Sequence, residues 1–240
     1  MIAKTPARAR IAACWPLFLA LALPCAAGSF TDWSYESRIT FGGYDRPGTL
    51  TNLPALVMLS TNRIAGFSYD QFGSPADGAD LRFAASNGTD ELNYEIEQWD
   101  TNGTSLVWVQ VPLLSGTSDF IRAYWGRTGQ AVPPYTTNGS VWSEGYVGVW
   151  HLRESNSRDS AAWGYHGTAT GNTNGPGYVG GGQSFLASQA RLELPVDISS
   201  RITNTLTLEC WALLKTYAGG TYPAIVTERY SSDDVEFALT

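Results

Sequence analysis

Lysine is nearly missing from this 240-residue chain: Lys4 and Lys215 are its only two, and Lys+Arg together reach 15 against 22 Asp+Glu. Only 15% of residues are charged and no basic run occurs past the extreme N-terminus, so a protein that tracks a phosphate backbone is excluded. Cysteine is scarce as well, at Cys14, Cys25 and Cys210. No stretch carries a sustained helical period, which argues against a helical domain. No Ser sits in a G-x-S-x-G elbow and no glycine-rich phosphate loop is present, which removes two common enzyme signatures. Disorder is excluded in turn by 43% hydrophobic and 12% aromatic residues. The length suits one or two domains of about 100–200 residues each.

The N-terminus is a processing signal. Lys4, Arg8 and Arg10 precede an apolar stretch from Ile11 to Leu23, and Cys25, Ala26, Ala27 and Gly28 offer a cleavage site after Ala27. The apolar stretch is short and interrupted by Pro16, so it reads as a signal peptide and not a membrane span. Residues 1–27 hold three basic and no acidic side chains, so their removal takes the formal net charge from −7 to −10. Cys14 and Cys25 leave with them, and Cys210 then has no partner for a disulfide. On a strand it would share a face with Leu206, Leu208 and Ala212, as a small buried hydrophobe. Export to the cell surface or the medium is the expected localisation, with no transmembrane segment after cleavage.

What the chain does contain is a series of short runs rich in Val, Ile, Tyr, Trp and Phe, punctuated by Gly, Asn, Asp and Pro. Strands are expected at 35–41, 54–60, 80–85, 92–99, 105–111 and 119–125. A second set follows at 146–152, 182–188, 191–195, 206–214, 224–230 and 235–240. Val107, Val109 and Val111 face one way, and Leu106, Trp108 and Gln110 the other, as in a strand inside a sandwich. Asn87-Gly88, Asn102-Gly103 and Asn138-Gly139 mark tight turns. One helical turn is expected near 62–72, packing Ile64, Phe67 and Phe72. Residues 128–144, with Pro133-Pro134, read as an extended linker. The fold class is all-β, two β-sandwich domains: 28–127 and 145–240.

Six blocks carry a resemblance in the first domain: Asp32-Trp33-Ser34-Tyr35 into Arg38-Ile39-Thr40, Leu53–Val57, Asp77–Phe83, Leu92–Trp99, Leu106–Val109 and Ile121–Gly126. In this order they resemble a bacterial family of unknown function found near the N-termini of exported proteins. That resemblance implies an architecture and no reaction. Val149-Trp150-His151-Leu152, Asp159-Ser160, Tyr165–Thr168, Ser184-Phe185, Leu192–Pro195 and Leu206–Trp211 resemble the start of a laminin-G or concanavalin-A-like jelly roll. Such a jelly roll implies more residues than 145–240 supply, so a truncated second domain, with further domains of the same polypeptide beyond Thr240, is expected.

Chemistry is thin. Glu95 and Glu97 lie two apart on a strand and so project from one face. They superficially resemble the acid pair of a retaining glycosidase, but a solvated outer face opposite Leu92, Tyr94 and Ile96 is the expectation. His151 and His166 have no second His or Cys at ligand spacing, which excludes a zinc site. Asp159, Asp233 and Asp234 are weak candidates for a calcium site, the one cofactor weighed. Trp163, Tyr165, Tyr217 and Tyr222 fall in expected loops, where aromatic faces can stack on sugar rings. The expected function is non-catalytic recognition or adhesion with a glycan partner; the alternatives are an accessory region of a secreted glycoside hydrolase and a structural spacer.

Overall fold

The structure is a computed structural model and describes residues 30–154, 157–187, 189–194, 201, 205–213, 225–229 and 235–239. It is all-β. The first six strands are β1 (Tyr35–Thr40), β2 (Leu50–Leu59), β3 (Arg82–Ala84), β4 (Tyr94–Gln98), β5 (Ser105–Leu114) and β6 (Phe120–Trp125). They form two three-stranded antiparallel sheets, β1-β6-β3 and β2-β5-β4.

Alternation along the strands explains how the sheets close on each other. Val107, Val109 and Val111 of β5 and Val57 and Leu59 of β2 are buried against Phe83, Ile121, Ala123 and Trp125 of the other sheet. Each such aliphatic side chain contributes about 1.5–3 kcal/mol when fully withdrawn from water. Between the strands, Ile64, Phe67 and Phe72 bury around a 3-10 turn at Tyr69–Gln71, which matches the expected helical turn. Inside this core the buried tyrosine hydroxyls are matched. Tyr69 donates its hydroxyl to the Leu59 carbonyl at 2.9 Å, and Tyr94 donates to the Leu81 carbonyl at 2.8 Å. Burial pushes the Tyr94 phenol well above its ordinary pKa.

Asp80 ties the loops at one end of the sandwich. It is 1% exposed, and its carboxylate accepts from the backbone N–H groups of Gly73, Ser74, Gly126 and Arg127 at 2.7–3.2 Å. Four donors converging on one carboxylate satisfy the charge without a cationic partner.

Residues 134–142, expected as part of an extended linker, instead fold into 3-10 turns at Pro134–Thr136 and Ser140–Trp142. Thr136, Val141 and Trp142 are buried there. Gly139 makes this approach possible: its φ is +86°, and a Cβ at this position would collide with the Ala162 backbone.

Farther along, the pairings are short: β7 (Thr168–Thr170) with β10 (Arg191–Glu193), β8 (Thr173–Pro176) with β9 (Gly181–Ser184), and β11 (Val226–Arg229) with β12 (Val235–Leu239). The strand expected at 146–152 is reduced to one bridge, Trp150 to Asp159. That expected at 206–214 is absent from the described 205–213, where Leu206, Trp211 and Leu213 are exposed. Cys210 is accordingly exposed and free, against the expected burial. With no strand paired to this segment among the described residues, alternation alone buries nothing. Among the described residues no helix is long and apolar enough to cross a membrane, and residues 1–27 lie outside them.

Candidate functional site: an ion-paired seam and its cleft

The outer face of the β2-β5-β4 sheet carries Trp108, Glu95 and Glu97. Glu95 and Trp108 are direct cross-strand partners, and the register shifts between Ile96 and Gln98, which leaves Glu97 on a bulge. Solvation of this face is overturned by the structure: the Glu97 side chain is 0% exposed and that of Glu95 12%. The cover comes from Trp142, His151, Arg153 and Ser160.

His151 lies between the two acids, with Nδ1 2.7 Å from Glu97 Oε2 and Nε2 3.7 Å from Glu95 Oε1. Trp108 Nε1 donates to Glu97 Oε2 at 3.1 Å, and Trp142 Nε1 donates to Glu95 Oε2 at 2.7 Å. Ser160 donates its hydroxyl to Glu95 Oε1 at 2.7 Å. The two indoles meet edge to face, 5.4 Å apart, and the imidazole packs 5.5 Å from Trp142 and 6.1 Å from Trp108. Arg153 adds two hydrogen bonds to the carbonyls of Ile96 and Glu97, at 3.0 and 2.5 Å.

This arrangement fixes the charges. Burial opposes protonation of His151, but the two carboxylates outweigh it and push its pKa up to about 9. Burial likewise opposes ionisation of Glu95, yet the His151 imidazolium beside it and hydrogen bonds from Ser160 and Trp142 hold its carboxyl below its ordinary value. At neutral pH the seam therefore contains an imidazolium facing a carboxylate.

Beside the seam lies a cleft of about 270 Å³ bordered by Glu95, Ile96, His151, Arg153, Ser157 and Arg158. The Glu97 Oε1, His151 Nε2 and Ser157 Oγ atoms are buried without a hydrogen-bond partner.

The aromatic candidates separate. Tyr165 is 8% exposed; its carbonyl accepts from Trp150 Nε1 and its hydroxyl accepts from Arg201 Nε. It is a packing residue and offers no open ring, because the fold closes over it. Trp163 is 51% exposed, with the Arg201 guanidinium 3.9 Å from its ring centre. Tyr217 and Tyr222 lie outside the described residues, as do Asp233 and Asp234. Asp159 is 2% exposed and accepts from the N–H groups of Val149, Ala161 and Tyr165, each at 2.8 Å. Three amide donors thus engage both oxygens of this buried carboxylate. No group of three or more His, Cys, Asp or Glu disposed to hold a metal occurs among the described residues.

Two aromatic residues were not among the ligand-binding candidates of the sequence. Tyr178 and Trp211 stack at 4.2 Å with an 18° interplanar angle, 75% and 77% exposed. They are 33 positions apart, and only the fold pairs them. His151 is likewise 54 and 56 positions from its carboxylate partners; its neighbours in sequence show no acid at contact spacing. The one usable signal was Glu95 and Glu97 on the face that also carries Trp108.

By its fold and site the chain is an all-β protein whose first six strands make a two-sheet core with one outer face sealed by an ion-paired seam. Residues 77–140 match the family model described as a domain of unknown function, DUF2341, so this portion of the chain is similar to that family. No curated protein matches the chain, and no solved structure does. The matched stretch holds Glu95, Glu97 and Trp108; Trp142, His151, Arg153 and Ser160 lie past its end.

Proposed function

We propose that this chain is a non-catalytic, exported recognition or adhesion module of a bacterial surface protein, with a glycan as its ligand, within a longer polypeptide. The observation that carries the ligand class is the Tyr178–Trp211 stack. Two large aromatic rings left three-quarters exposed in a soluble-facing position are unfavourable unless something covers them, and flat ring faces suit sugar rings. Trp163, with its cationic neighbour Arg201, extends the same aromatic surface chemistry. The jelly-roll resemblance of 145–240 and the signal-like residues 1–27 support the recognition and export parts of the reading.

The test is retention of the exported chain on a panel of insoluble polysaccharides and on a glycan array, with Trp211→Ala in parallel. Retention that falls at least tenfold in Trp211→Ala supports the platform. No retention on any glycan, with or without calcium, would falsify it.

A structural spacer is the second reading, and the seam favours it: a buried imidazolium between two acids, with Trp142 and Ser160 bonded to one of them, pins these residues to the first sandwich. Glu95 and Glu97 are committed to the seam as an ion-paired cluster with side chains 12% and 0% exposed, which speaks against their serving as a glycosidase acid pair; the reading of an accessory region to a glycoside hydrolase does not depend on them.

A further inference from the structure

The cleft beside the seam has the marks of a site built to be filled. Leu152 and Ser157, which both line it, hold left-handed backbone at φ +58° and +41°, a conformation that non-glycine residues avoid. Such strain persists only where surrounding contacts impose it, and it gathers at binding sites. Here the contacts are explicit: Ser157 N–H donates to the Glu154 carbonyl, its carbonyl accepts from Gly167, and the Leu152 carbonyl accepts from Gln183. Ser157 is 1% exposed, yet its hydroxyl has no hydrogen-bond partner, and His151 Nε2 makes no hydrogen bond beyond its 3.7 Å ion pair with Glu95. Buried polar atoms without partners are uncommon, and two on one cleft wall call for a reason.

The wall is balanced in charge. His151, Arg153 and Arg158 face Asp77, Glu95 and Glu154, so an ion of either sign would meet repulsion as well as attraction. A neutral molecule with adjacent hydroxyls meets no such conflict, since each hydroxyl both donates and accepts. The volume, about 270 Å³, equals about nine waters at about 30 Å³ each, room for a single sugar ring.

We propose that the seam cleft binds one neutral monosaccharide unit or comparable polyol, separately from the Tyr178–Trp211 surface. A ligand hydroxyl donates to the Glu95 carboxylate while its neighbour accepts from the Arg153 or Arg158 guanidinium. A χ1 rotation of Ser157 turns its unpartnered hydroxyl from the wall to the ligand. Only the choice of sugar as ligand class rests on the recognition reading; the cleft itself does not.

The experiment uses the full chain, with calorimetry and ligand-observed NMR against glucose, galactose, mannose, N-acetylglucosamine, inositol and glucuronate. At least one neutral compound binds, and Ser157→Ala weakens it about three- to tenfold, the worth of one hydrogen bond. Ser157→Gly gives the same loss while relieving the backbone strain, so a weakened affinity cannot be put down to misfolding. Unchanged affinity in both variants overturns the location, and preference for glucuronate overturns the neutral ligand. Retention on insoluble polysaccharide with no uptake of the free compounds at tens of millimolar overturns the cleft and leaves the aromatic surface standing. Failure in both formats overturns both.

Discussion

His151 Nδ1 sits 2.7 Å from Glu97 Oε2, a contact between a residue beyond the first sandwich and the bulge of that sandwich's own β4. The Glu97 side chain is 0% exposed, so the imidazolium is the cation that compensates its charge there. Removing one member of a buried pair is far costlier than never having built it, because the survivor stays buried and unpaired.

His151→Ala is therefore expected to destabilise the protein by about 3–5 kcal/mol. Pairing it with Glu97→Gln should recover part of that loss, since the uncompensated carboxylate is then gone. Chemical denaturation of the two single variants and the double variant measures the coupling. Additive effects would show that the pair does not act as a unit.

The seam should also impose a pH profile on stability. His151 has a folded pKa of about 9 against an ordinary 6.5, so its contribution is complete below 6.5 and is lost as pH rises through about 9. Glu95 is held below its ordinary 4.5, so its contribution is present above 4.5 and is lost as pH falls below that value. Stability from the seam is thus greatest between about 4.5 and 6.5. Thermal unfolding across pH 4–10 checks this, and His151→Gln should flatten the alkaline limb and weaken the acid one, because Glu95 then loses the imidazolium beside it. A parent protein as stable at high pH as near pH 6 would refute it.

Asp80→Asn replaces an acceptor of four backbone N–H bonds by a group that must turn an NH2 toward those donors. We expect a loss of about 2–3 kcal/mol, with faster amide exchange at Gly73, Ser74, Gly126 and Arg127. Exchange that quickens everywhere equally would point to global loosening in place of local release of these two loops.

Cys210 is exposed, so an aromatic disulfide reagent should modify it in the native protein at nearly the rate of the denatured chain. Strong protection would restore the buried-strand reading of this segment.

Much of the first sandwich is legible in residue order. Val107, Val109 and Val111 alternate with Leu106, Trp108 and Gln110, which gives the strand and its two faces, while the fold shows that the valines are the inward one. Ile64, Phe67 and Phe72 show their burial by the same local logic. Leu206, Leu208 and Cys210 carry a similar alternation and stay largely exposed, because a strand needs a neighbour to bury its face.

The sequence by itself thus determined the all-β class, most strands of the first sandwich and the alternation along β5. Only the tertiary structure decided the fate of Glu95 and Glu97. A polar outer face reads identically whether water or another stretch of chain covers it. What covers this one is Trp142 and His151, brought across more than 40 residues by turns whose packing, not pattern, sets their direction. That closure converts a presumed solvated pair into a buried, charged seam.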